Sequence, residues 1–73
     1  MKSISEFNRY AALGRAAATK FCADWSAELD KKGRELTELL EAKKVTPKTY
    51  NMRRSLLNED IRDLNECVKK LNK

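Results

Sequence analysis

The stretch Lys43-Lys44-Val45-Thr46-Pro47-Lys48-Thr49-Tyr50 decides the fold. It holds the chain's only proline. Thr46 is placed to cap a helix N-terminus, and Pro47 then takes the first helical position, where its missing N–H costs nothing. Downstream, Tyr50, Leu57, Ile61, Leu64, Val68 and Leu71 recur at helical spacing, and Leu56 and Cys67 widen that stripe. This predicts an amphipathic helix over 47–72, roughly 38 Å long at ~1.5 Å per residue. Lys43 and Lys44 suit the C-terminus of a preceding helix, where the backbone dipole favours positive charge.

Upstream, Ser3 and Glu6 have the spacing of a capping box. The apolar stripe Phe7, Ala11, Gly14, Ala18, Phe21, Trp25, Leu29, Leu36 and Leu40 follows. The expectation is one continuous helix over about 3–43, with a break near Gly14 or Asp24 as the alternative. Only 44–46 then remains as a connection, and so short a link makes the two helices antiparallel neighbours. Residues facing one another should have numbers adding to a constant. Ala18 with Leu71, Phe21 with Val68, Trp25 with Leu64, Leu29 with Ile61 and Leu40 with Tyr50 all add to 89 or 90. The fold class is therefore all-α: an antiparallel helical hairpin with an N-terminal helical extension, or else a three-helix bundle, in one small domain over 1–73.

Cys22 and Cys67 obey the same rule and should lie level on adjacent helices. They read as a small buried apolar pair, or as an interhelical disulfide stapling a marginal core.

In the hairpin arrangement residues 1–16 run past the end of the second helix, by about 24 Å if helical. Ile4, Phe7, Tyr10 and Leu13 would then form an uncovered apolar stripe, and such a stripe marks an interaction site. The small residues around Gly14 would let another helix approach closely. The expected partner is another protein or a second copy of the chain.

The chain has 73 residues, 16 basic against 11 acidic side chains, and no histidine. Its excess charge of +5 falls wholly on 43–54, as Lys43, Lys44, Lys48, Arg53 and Arg54 without an acid. The stretches on either side, 1–42 and 55–73, are each neutral. This basic tip could take an anion, and nucleic-acid binding is the alternative function. The acidic stretches 21–42 and 55–66 lie side by side and would repel a duplex lying along the rod.

Other classes are disfavoured. Lacking histidine, the chain lacks the commonest general base and metal ligand. Two cysteines far apart in sequence do not make a zinc site, and neither GxGxxG nor a P-loop occurs. No catalytic residue, metal or cofactor is assigned, and the chain is read as no enzyme. No segment is apolar enough to span a bilayer and no secretory signal is visible, so the expected location is cytoplasmic. The run from Val45 to Tyr50, with Arg53 and Leu57, resembles the helix start in the core-binding domain of tyrosine recombinases. The chain has no room for that family's catalytic domain, and no residue role is carried over.

Overall fold

The structure, a computed structural model, describes residues 2–72; Met1 and Lys73 lie outside them. It consists of α1 (Ile4–Leu13), α2 (Arg15–Glu41) and α3 (Pro47–Leu71). The all-α expectation holds. Of the two arrangements, residues 4–13 take the three-helix one.

The two predicted helix starts form as the capping residues require. The Ser3 hydroxyl accepts from the Glu6 N–H at 3.3 Å. At α3 the Thr46 hydroxyl oxygen accepts from the Thr49 N–H at 3.1 Å, with Pro47 behind it in the first turn. Lys69 and Lys70 occupy the last turn of α3, where the dipole favours them.

The connection is longer than 44–46, because α2 ends at Glu41. Its end is a Schellman motif. The Lys43 N–H donates to the Leu40 carbonyl at 3.0 Å and the Lys44 N–H to the Leu39 carbonyl at 2.9 Å. This closure puts Lys43 in the left-handed region at φ 59°. Glycine is the usual residue at that position, since a side chain there crowds the following carbonyl.

The continuous helix over 3–43 is the expectation that fails. Gly14 breaks it, with φ 133° and ψ 164°, a conformation essentially restricted to glycine. The joint is this one residue. Its N–H donates to the Ala11 carbonyl at 3.2 Å, and its own carbonyl accepts from the Ala18 N–H at 3.2 Å. Both helix ends therefore keep part of their hydrogen bonding across the break. In return α1 folds back along α2, and Phe7 falls to 2% exposure. Burying one phenylalanine is worth about 1.5–3 kcal/mol. That outweighs the local preference for helix in the alanines around the joint, which differ from other residues by tenths of a kcal/mol.

The core runs through all three helices: Phe7 from α1, then Ala18, Phe21, Cys22, Trp25 and Leu29 from α2, and Leu57, Leu64 and Cys67 from α3. Ile4, Ile61 and Leu71 pack against it at half burial. The α2–α3 register agrees with the pairing rule. Gly33, whose number adds to 90 with that of Leu57, has the Leu57 Cδ2 3.5 Å from where a Cβ would stand. Val68 departs from the expectation, being 37% exposed, and Cys67 beside it is fully enclosed. The small residues Ala11, Ala12 and Ala16 are exposed and draw no helix against them.

The molecule measures 44 × 19 × 15 Å. The ten residues of α1 cover only part of the 27-residue α2. The rod is three helices thick at the Gly14 end and two at the Lys43 end.

Two substitutions at the joints should act in opposite directions. Gly14→Ala should destabilise by about 1–3 kcal/mol, since alanine is strained at that φ and ψ. Lys43→Gly should stabilise by about 0.5–1 kcal/mol through relief of the left-handed residue. Chemical denaturation followed by circular dichroism measures both.

Candidate interaction surfaces

The stripe expected on the N-terminal segment is split by the fold. Phe7 is turned inward, with its ring centroid 6.3 Å from that of Phe21, and Ile4 packs beside it. Tyr10 stacks on Phe21 at 5.0 Å yet stays 44% exposed. Leu13 is 77% exposed. Phe21 is in turn 5.7 Å from Trp25, edge to face, so Phe7, Tyr10 and Trp25 cluster around the Phe21 ring. Ile4 and Phe7 therefore hold α1 to its own hairpin, and only Tyr10 and Leu13 remain available on its outer side.

An ion pair fastens the other end of α1. Lys2 Nζ lies 2.6 Å from a Glu28 carboxylate oxygen. The hydrogen bond to Glu28 raises the Lys2 pKa, and the same contact lowers that of Glu28. Both groups are open to water, so the pair orients α1 more than it stabilises it.

Beyond Lys2 the face on which α1 lies continues uncovered. On α2 that face carries Ala17, Phe21 and Glu28 beneath α1, and three- and four-residue steps lead on to Lys32, Glu35 and Leu39. A groove opens there between α2 and α3, floored by Leu36 and Leu57 and walled by Leu39 and Leu56. Leu56 is 60% exposed, and the neighbouring Met52 equally so. Lys32, Glu35, Arg53 and Asp60 edge the groove with two charges of each sign.

This surface was not singled out from the sequence. Its signal was the doublets Leu39-Leu40 and Leu56-Leu57: one leucine of each doublet lies on the α2–α3 seam and the other on a second face.

At the tip, Lys43, Lys44, Lys48 and Arg53 are exposed. Arg54 is half-buried and turned back over α2, with one guanidinium nitrogen 3.4 Å from where a Gly33 Cβ would stand. Four of the five basic residues thus face solvent together, and the fifth covers the hairpin.

Cys22 and Cys67 are free thiols, both buried. Burial raises the pKa of each, and at Cys67 repulsion from a Cys22 thiolate adds to it. Among the described residues no group of three or more His, Cys, Asp or Glu side chains is placed to hold a metal ion. Among the same residues no helix is long and apolar enough to cross a membrane. Comparison with protein-family models, with curated proteins and with solved structures finds no match.

These shifts contribute to the pH dependence of stability. The lowered pKa of Glu28 gives a contribution present above its ordinary value of 4.5 and lost as pH falls through the lowered one. The raised thiol pKa values favour the neutral form, so their contribution is complete below 9.0 and falls away as pH rises beyond it. The raised pKa of Lys2 acts in the same sense above 10.5. The denaturation midpoint should be flat between about pH 5 and pH 8.5 and fall on both sides. Cys22→Ser with Cys67→Ser should remove the thiol part of the alkaline fall.

Proposed function

We propose that this chain is a small, non-enzymatic helical interaction module, a regulator, inhibitor or assembly chaperone that binds another protein or its own copy through a helix face. The supporting observation is the uncovered half of the groove. Leu56 lies open in water on the groove wall with Met52 exposed beside it and Leu39 half-buried opposite, and an apolar face rimmed by charge is the usual form of a docking site. A helix is the fitting ligand, because α1 already fills the other half of the same face in that way.

The docking residues differ from those expected of an overhanging segment. Ile4 and Phe7 serve the interior, Tyr10 and Leu13 remain on the outside, and the groove leucines take the leading role. The basic tip supports a second reading, nucleic-acid contact end-on through Lys43, Lys44, Lys48 and Arg53, which are exposed with no acid in the same stretch.

One experiment separates the two. A photo-crosslinking amino acid is placed in living cells at Met52, beside the groove, or at Lys48, on the tip. The module reading expects discrete protein adducts from the Met52 site, lost when Leu39 is changed to Glu. Adducts from Lys48 alone that disappear with nuclease would favour nucleic acid. No adduct of any kind from the Met52 site would overturn the groove as a docking face.

A further inference from the structure

Two surface stripes match one another. Along one flank of α1, Glu6, Arg9, Tyr10 and Leu13 line one shallow depression, with Glu6 and Tyr10 also edging the cleft towards α2. On α2, the open groove is lined by Lys32, Glu35, Leu36 and Leu39. Each set has the spacing i, i+3, i+4, i+7, which is one face of a helix over two turns. Position by position they are complementary. Glu6 corresponds to Lys32 and Arg9 to Glu35, opposite in charge in both cases. Tyr10 corresponds to Leu36, and Leu13 to Leu39, apolar in both cases.

Within one molecule the stripes cannot meet, since α1 lies on the first half of α2 and points away from it. We infer that they meet between two copies of this chain. The second copy is turned end for end, so that its α1 lies in the first copy's open groove, parallel to the α2 beneath it. A two-fold axis near the level of Glu28 makes the contact twice. Parallel helices in register place equivalent positions opposite each other. Glu6 then faces Lys32 and Arg9 faces Glu35, with Tyr10 and Leu13 over Leu36 and Leu39. Leu56 and Asp60 of α3 form the second wall.

The shape argues for the same arrangement. Each rod is a step, three helices thick at one end and two at the other. Two steps turned end for end fill one another, whereas a side-by-side parallel pair would drive one α1 against the other. The open groove also lies further along the same face of α2 that α1 covers in its own chain, so a helix can follow one face from the first half to the second. An isologous interface of this sort uses one self-complementary patch, which both stripes together supply.

The proposal rests on the reading of the groove as a docking face and names its occupant. Its test is sedimentation equilibrium of the purified full chain up to about 1 mM, the concentration at which an association of only ~4 kcal/mol is half complete. A dimer is expected. Leu13→Glu, at a site too exposed to disturb the monomer, should raise the dissociation constant at least tenfold with helix content unchanged by circular dichroism. Glu6→Lys alone and Lys32→Glu alone should each weaken the dimer, and the double variant should regain affinity, in a double-mutant cycle. A monomer throughout, with the Met52 crosslinker still capturing a heavier protein in cells, would overturn self-association and leave the module reading standing. A dimer indifferent to Leu13→Glu, or a double variant no better than the singles, would overturn this interface.

Discussion

The packing of Phe7 against Phe21 is the contact on which the rest of the molecule depends. Two helices alone would leave one side of Phe21 and Trp25 in water. A chain of this length seldom gets more than ~3–5 kcal/mol from a single core. Closing the aromatic cluster around Phe21 with a third helix adds both buried area and ring-to-ring contact, the latter worth about 0.5–1.5 kcal/mol per pair beyond area. For that gain the chain gives up a straight helix at Gly14. The step shape follows, since α1 covers the aromatic cluster and ends near the level of Glu28.

Much of this was legible in the residues. Thr46 and Pro47 fixed the start of α3, Ser3 fixed that of α1, and the pairing rule fixed the register of α2 on α3. These are local chemistry and periodicity, which a single sequence carries. The break at Gly14 was not legible in the same way. Glycine within a run of alanines is also compatible with a helix at a cost of about 1 kcal/mol, and only the destination of Phe7 makes the break worthwhile. That destination is tertiary. The groove was hidden for a related reason: Leu39 and Leu56 sit beside seam residues, and a stripe drawn along the seam absorbs them.

Charge follows the fold in a way that net charge conceals. Lys2 and Arg9 are carried back over α2 with α1, where Lys2 meets Glu28. The acidic middle of the rod is thereby partly neutralised from within. Among the described residues the basic side chains of the tip make no such ion pair, and Lys43 holds its place there in a backbone conformation that glycine would adopt more readily. The tip is thus where local strain and unbalanced charge coincide.

The single-residue joint also decides which half of the groove is available to others. A helix tethered by one residue is present at its own site at a local concentration far above that of any free competitor, in the millimolar range or beyond for short tethers. Closing so short a loop costs little entropy each time α1 returns. A helix from outside would have to exceed that advantage to enter the aromatic half, whereas in the leucine half no tethered helix of the same chain competes with it. One continuous face is thereby divided into a private portion and a public one, and the boundary between them lies where α1 begins.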